Sequence, residues 1–184
     1  MEHMMDLMKD TLNEHRFSHS LGVAETAAKM AAHFGMDPEK AYLAGLVHDY
    51  GKSLSHQELL VIAEQNGLIQ DPVERELPEV LHAPVGAFLL ERDGWLADPE
   101  VLSAVRNHTV GDPGMTAFDM LIYLADLIEP GRHYEGIERL RQASYEDLPR
   151  GMIMGLDQTI AYCLARGRLI HPRAVALRNQ LLRF

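Results

Sequence analysis

Hydrophobic residues along the chain recur at the three- and four-residue spacing that is typical of amphipathic helices. Leu21, Ala24, Ala28 and Ala31 follow this spacing, which predicts one helix over residues 18–34. Alternating apolar and polar residues between turns, the pattern of a strand, is absent from the sequence. The pattern therefore predicts an all-α fold.

Capping residues and turns divide the rest of the chain into further helices. Asp37 and Asp98 each precede a proline and a glutamate, an order that favours a capped first turn. Ser55 and Asp147 are further candidate N-caps. The predicted helices after the first span approximately residues 38–48, 56–65, 78–92, 99–108, 115–128, 137–143, 148–165 and 172–182.

The length and composition are those of one globular domain. The chain has 184 residues, of which 47% are hydrophobic and 24% charged, so it can bury a core without cross-links. The sequence contains no internal repeat, linker or low-complexity tract. Its single cysteine, Cys163, excludes an intrachain disulfide and a thiolate metal cluster.

The charge balance limits the classes of partner. The net charge is −10, from 27 acidic and 17 basic residues, which argues against binding to nucleic acid or to an anionic membrane. It does not exclude a small phosphorylated substrate, because a local metal or arginine can reverse the field inside a pocket. With no long apolar segment and no signal-like N-terminus, we expect a cytoplasmic protein.

Ten histidines are unusually many for this length. Six of them lie at predicted helix ends or among polar residues, where a solvated side chain is the simplest expectation. These six are His3, His15, His33, His56, His133 and His171. The other four, His19, His48, His82 and His108, lie beside small or apolar residues on separate predicted helices or at their ends.

Two aspartates stand in apolar surroundings as well. Asp49 follows His48 where an apolar helix ends, and Asp126 lies inside the run from Leu121 to Ile128. Burial of a carboxylate costs several kcal/mol unless it is paired or bound to a metal. Histidine and carboxylate donors together suit a first-row transition metal, so the sequence predicts a metal site.

Taken in order, His19, His48-Asp49 and Asp126 resemble the H…HD…D signature of the HD-domain metal-dependent phosphohydrolases. Lys52 follows the central pair, and His82 and His108 precede the last aspartate, as in the dinuclear branch of that superfamily. The resemblance implies a single HD-domain helical bundle over residues 1–184. Its core would span about 15–130, followed by a C-terminal helical extension at about 137–184.

The flanking segments narrow the resemblance to the YqeK-type bacterial family of symmetrical diadenosine tetraphosphate hydrolases. The similar segments are residues 16–24 (RFSHSLGVA), 44–52 (AGLVHDYGK), 108–111 (HTVG) and 123–132 (YLADLIEPGR). The implied reaction is hydrolysis of diadenosine tetraphosphate to two ADP by a metal-activated water. The implied partner is therefore a small-molecule dinucleoside polyphosphate.

The same resemblance implies which residues bind metal. His19, His48, Asp49 and Asp126 would hold one ion, and Asp49 would bridge to a second ion held by His82 and His108. Four imidazoles and two carboxylates favour two divalent transition metals over magnesium. We expect iron, with manganese as the alternative.

Neighbouring residues are candidates for contact with the phosphate chain. Lys52, expected to act in catalysis beside Asp49, and Arg132 would neutralise its charge, and Arg16 is a third candidate. Solvated or helix-terminal cations are the alternative for all three. Ser20 and Thr109 can donate to phosphate oxygens, although a helix cap or backbone hydrogen bond is equally consistent with the sequence.

Other functions stay open at this point. They are an HD-type nucleotidase, a guanosine-alarmone hydrolase and a non-catalytic interaction module that keeps a structural metal. His82 and His108 argue against a mononuclear nucleotidase, while the alarmone hydrolase needs a comparison of substrates. An amphipathic surface would allow a homodimer, but no heptad run indicates one.

Overall fold

The computed structural model describes residues 1–183, and within them the chain forms ten α-helices and no strand. The all-α prediction is therefore confirmed. The helices are α1 (Glu2–Thr11), α2 (Glu14–Phe34), α3 (Pro38–Val47), α4 (His56–Gln65), α5 (His82–Arg92), α6 (Pro99–Asn107), α7 (Ala117–Ile128), α8 (Ile137–Glu146), α9 (Leu148–Ala165) and α10 (Pro172–Leu181). Short 3-10 helices lie at Tyr50–Ser53, Pro72–Arg75 and Pro78–Leu81.

Most predicted helices agree with the structure, and the capping residues explain why. The side chains of Asp37, Ser55 and Asp98 each accept backbone N–H groups at the starts of α3, α4 and α6. The sequence did not predict α1, whose buried residues are the methionines Met4 and Met8. The predicted helix over 78–92 is divided into a 3-10 helix and α5, so a change of helix type precedes His82.

The centre of the molecule is the packing of α2, α3 and α7. Most apolar side chains of α7 are buried, as are Val23, Ala27 and Met30 of α2. Helices α2 and α3 approach so closely at Gly45 that an ideal Cβ there would lie 2.7 Å from Ala24 Cα. This contact sets the end of α3, and with it His48, against the first half of α2.

A smaller apolar cluster supports the remaining part of the site. Leu59 and Ala63 of α4 pack with Leu81, Val85 and Leu89 in and before α5. Because Leu81 directly precedes His82, this cluster holds the start of α5 in place.

The helices after α7 cover its outer side and reach back to the preceding loops. Leu140 of α8, Met152 and Leu156 of α9 and Leu177 of α10 are fully buried. None of the helices described here is long and apolar enough to cross a membrane.

One histidine expectation is wrong in this region. His171 is buried rather than solvated: its Nε2 lies 3.1 Å from Oε1 of the buried Glu74, and its Nδ1 accepts the amide of Arg173 at the start of α10. The partner carboxylate is far away in sequence, so local composition gave no sign of the pair.

Candidate metal centre

The six side chains that the sequence predicts as metal ligands converge at one end of the bundle. Asp49 lies centrally, with Oδ1 at 3.3 Å from Nε2 of His82, 3.6 Å from Nε2 of His108 and 3.7 Å from Nε2 of His48. Donor atoms of His48, Asp49 and His108 all lie within 4.8 Å of one another, close enough to share an ion.

A second group overlaps the first at His48. Oδ1 of Asp126 lies 3.0 Å from Nε2 of His19 and 3.9 Å from Nε2 of His48. Donor atoms of these three residues also lie within 4.8 Å of one another. Five of the six predicted ligands therefore form two sets that share His48, and His82 lies beside Asp49 in the same polar cluster.

Helix ends orient three of the four histidines. His48 and His108 directly follow α3 and α6, and His82 begins α5 after a 3-10 helix. In each, Nδ1 donates to the backbone carbonyl three residues earlier: Gly45 (2.7 Å), Glu79 (2.5 Å) and Val105 (2.7 Å). A carbonyl can only accept, so Nδ1 carries the hydrogen and Nε2 is left as the donor to a metal.

The two aspartates stay ionised in this cluster. Burial by itself would raise the pKa of Asp49 and Asp126, because it disfavours the charged form. For Asp49 the neighbouring His48, His108 and His82 outweigh burial, and for Asp126 the hydrogen bond from His19 and the charge of Arg132 do so. The pKa of each carboxyl is therefore held well below its ordinary value.

The imidazoles differ from one another. Burial lowers the pKa of His48, and it lowers the pKa of His82 to about 4, so both rings are neutral at neutral pH. For His19, burial acts in the same direction, but Asp126 and Glu129 outweigh it and raise the pKa above its ordinary value. The ionised aspartates and the neutral rings of His48 and His82 are thus in the protonation states that a metal requires.

The cluster opens into a cavity of about 1340 Å³ whose wall carries three cations. Nη1 of Arg16 lies 3.4 Å from Oδ2 of Asp49, and Nη2 of Arg132 lies 2.5 Å from Oδ1 of Asp126. Lys52 is mostly shielded, and this burial lowers the pKa of its ammonium. A large cavity with cations beside an acidic cluster can accept a polyanion.

The two predicted hydroxyl donors differ in position. Thr109 lines the cavity, with Oγ1 at 3.1 Å from Nε2 of both His82 and His108. Ser20 is fully buried, lies outside the cavity wall and has no hydrogen-bond partner among residues 1–183. The interpretation of Ser20 as a phosphate donor therefore has no support in its placement.

One buried residue of the site was not assigned a role from the sequence. Glu129 ends α7 and accepts a hydrogen bond from Nδ1 of His19 at 3.1 Å. It is an acid at the end of the apolar run that also contains Asp126, so the argument that identified Asp126 would have identified Glu129 as well.

Comparison with known proteins identifies the class. The family model described as HD domain matches residues 16–131, which include all six predicted ligands. The chain therefore belongs to the HD domain family, as the order of its histidines and aspartates predicted. Hydrolases of this family bind divalent metals, and the cluster supplies histidine and aspartate donors for them.

Two curated relatives and one crystal structure match the chain over nearly its whole length. The chain is 38% identical to the symmetrical bis(5'-nucleosyl)-tetraphosphatase of Halalkalibacterium halodurans, covering 97% of this chain and 95% of the relative. It is 34% identical to the protein of the same name from Bacillus subtilis, covering 98% and 97% of the two chains. A crystal structure from Clostridium acetobutylicum, described as a predicted HD superfamily hydrolase involved in NAD metabolism, matches with a TM-score of 0.95. That protein is 35% identical, and the match covers 99% of this chain and 96% of that one.

Proposed function

We propose that this protein is a metal-dependent hydrolase that cleaves diadenosine tetraphosphate symmetrically to two ADP. The observation that carries the proposal is the match to relatives named for this reaction over nearly the whole of both chains. Convergence of four histidines and two aspartates beside a cationic cavity supports it, since hydrolysis of a phosphoanhydride needs both features.

The donor set fits metal ions. His48 Nε2 is fully buried and has no hydrogen-bond partner among the described residues, although buried polar atoms almost always have one. We assign His19, His48, Asp49 and Asp126 to one ion, and His82, His108 and a bridging Asp49 to a second. The position of Asp49 Oδ1, between 3.3 and 3.7 Å from three imidazole nitrogens, supports the bridging role.

Imidazole-rich sites suit iron or manganese better than magnesium, which prefers oxygen ligands, and we propose two iron ions with manganese as the alternative. When bound, such ions supply Lewis-acid chemistry, which activates water and neutralises charge on phosphoryl oxygens. This chain's contribution is to keep both aspartates ionised and the donor nitrogens of the imidazoles directed at one point.

The cations of the cavity bind the phosphate chain in this proposal. Arg16 and Arg132 are held at different aspartates of the cluster, Asp49 and Asp126. A tetraphosphate cut at its centre has two phosphates on either side of the broken bond, and two separated arginines suit that symmetry. Lys52 is assigned to the phosphates nearest the reacting centre, and Thr109 is a further hydrogen-bond donor.

The products of the reaction test the proposal. When diadenosine tetraphosphate is incubated with the enzyme and Fe²⁺ or Mn²⁺, ADP should be the sole primary product. Chromatography of samples taken at early times measures the products. Primary formation of AMP and ATP would contradict symmetric cleavage.

A substrate panel separates the other functions. It contains AMP, a guanosine tetraphosphate alarmone and NAD⁺, each with iron, manganese or magnesium. Preferred hydrolysis of one of these would identify a nucleotidase, an alarmone hydrolase or a hydrolase of shorter dinucleotides. Tight metal binding without any hydrolysis would identify an interaction module.

The net charge of −10 also supports the proposal that nucleic acid is not a substrate, because binding of a polyanion depends on basic residues and acidic ones outnumber them by 27 to 17. We also propose that the protein can form a homodimer. Light scattering of the metal-loaded protein tests this.

A further inference from the structure

Glu129 is a buried acid that the proposed reaction does not use. Its side chain is 7% exposed, and it is not one of the six proposed ligands. Oε1 accepts from Nδ1 of His19 at 3.1 Å, while Oε2 accepts from the backbone N–H of Gly131. Both carboxylate oxygens are therefore engaged, one of them by a proposed metal ligand.

His19 differs from the other three histidines in its position relative to the helix ends. His48, His82 and His108 lie at helix boundaries, where the carbonyl three residues earlier is free to accept Nδ1–H. His19 lies inside α2, where the carbonyls of the preceding turn accept backbone amides of the helix. A local acceptor is therefore missing for its Nδ1, and a residue from α7 provides one.

A glycine of α2 leaves space for the carboxylate of Glu129. Gly22 is one turn after His19, and an ideal Cβ at Gly22 would lie 2.8 Å from Oε2 of Glu129. A side chain there would displace the carboxylate. The absence of a side chain at residue 22, the end of α7 and the amide of Gly131 together fix the position of Glu129.

We infer that Glu129 is a positioning residue for His19: it accepts Nδ1–H, fixes the ring orientation and leaves Nε2 as the metal donor. This inference rests on the proposed metal site. Carboxylates that hold a ligating histidine in this way contribute about 10- to 100-fold to metal affinity. A carboxylate partner also makes an imidazole a stronger donor to metal than a carbonyl partner does.

Zinc binding provides the test, because Zn²⁺ is diamagnetic and binds the same donor types. Glu129→Ala should weaken Zn²⁺ affinity, measured against a chromophoric chelator, by about 10- to 100-fold. Glu129→Gln should weaken it less than Glu129→Ala does, since the amide keeps one oxygen that can accept from Nδ1 of His19. Glu25→Ala is the control: Glu25 is an exposed acid in the wall of the same cavity, so this change removes equal charge.

An NMR signal distinguishes positioning from a general structural role. In the Zn²⁺-loaded protein the Nδ1–H proton of His19, assigned with His19→Asn, should move upfield in Glu129→Ala and remain unchanged in Glu25→Ala. Unchanged affinity in both Glu129 variants would overturn the inference, and so would lost affinity with an unmoved His19 signal.

Two further measurements separate the role of Glu129 from unfolding of the variant and from failure of the proposed reaction. If circular dichroism shows that Glu129→Ala is unfolded, the isosteric Glu129→Gln decides by the same two measurements. Failure of the proposed reaction would appear in the products of the wild-type enzyme, whereas this test uses only metal affinity and the histidine spectrum.

Discussion

Lys52 faces the cavity three residues after Asp49 and makes no hydrogen bond or ion pair to a carboxylate within residues 1–183. Changing Lys52 to Ala should therefore lower kcat for diadenosine tetraphosphate by about 100- to 1,000-fold, the range for loss of one hydrogen-bond donor to the charge of a transition state. Bound metal should stay near the wild-type level, as measured by elemental analysis.

Lys40 provides the matched control, because it is a lysine of α3 paired with Asp98 and Glu100, away from the cavity. Lys40→Ala should keep wild-type kcat. Loss of metal in Lys52→Ala would mean that Lys52 supports the cluster and does not contact phosphate.

His19 makes metal binding depend on pH. The pKa of His19 in the metal-free protein is raised by Asp126 and Glu129, which outweigh burial, so the ring takes up a proton as pH falls through a value above the ordinary 6.5. A protonated ring cannot bind metal. Zn²⁺ affinity should thus fall about tenfold for each pH unit below that pKa.

Three of the other ligands add little to this dependence between pH 5 and 8. The pKa of His82 is about 4, and the pKa values of Asp49 and Asp126 are lower than ordinary, so their protonation does not change in this range. Affinity measured at half-unit steps should show a slope of at least one proton below the pKa of His19. An affinity independent of pH would contradict the assignment.

Single residues also show what the sequence could and could not predict. His48, Asp49 and Asp126 were recognisable because polar groups in an apolar run need a partner or a metal. His171 was misjudged because its burial depends on packing against distant parts of the chain and on Glu74, which lies 97 residues away in sequence.

At the scale of elements, two helix ends bring two of the proposed ligands next to each other. His82 and His108, at the start of α5 and the end of α6, belong to one proposed ion only. His82→Ala should therefore leave about one metal per chain. Asp49→Ala should weaken both sites, because Asp49 Oδ1 is shared among three imidazoles.

Metal counting on folded variants checks this prediction, with circular dichroism to verify helical content. The helices should remain, since apolar burial supplies most of the stability of a domain. Equal metal content in His82→Ala and Asp49→Ala would show that Asp49 does not bridge.

The helices were predictable where a capping residue marks the first turn. An N-cap side chain accepts hydrogen bonds from backbone N–H groups two or three residues later, as those of Asp37, Ser55 and Asp98 do. The start of each of these helices is therefore determined within four residues of sequence. No side chain caps α1, and the 3-10 helix before α5 results from packing of Leu81 into a cluster with α4. Such tertiary causes leave no local pattern.

For the whole molecule, the distribution of the ligands links metal binding to folding. His19 and Asp126 come from opposite ends of the HD domain match at 16–131, so the unfolded chain has no assembled site. A metal that binds only the folded chain stabilises it by RT ln(1 + [L]/Kd), which is about 2.7 kcal/mol at a hundredfold excess over Kd.

Removal of metal with a chelator should therefore lower the melting temperature while leaving a cooperative transition. For a domain of this size the decrease should be on the order of 5–10 °C. Differential scanning calorimetry with and without chelator measures it. An unchanged melting temperature would indicate that metal does not distinguish the folded from the unfolded chain.

The overall topology was less predictable than its parts. Helix pattern and capping define which segments are helical, but the contact of α2 with α3 at Gly45 and the cover of α7 by α8 and α9 depend on side-chain volumes far apart in sequence. The motif order, by contrast, predicted that these segments meet, because the ligands must share one site.

The turn at Asn66 and Gly67 is exposed and divides the six proposed ligands equally. His19, His48 and Asp49 precede it, while His82, His108 and Asp126 follow. Each ion assigned above takes donors from both sides of this turn. Cleavage of the chain there would yield two fragments, neither of which contains a complete site, and metal would favour their reassociation. The metal centre thus connects the two halves of the polypeptide.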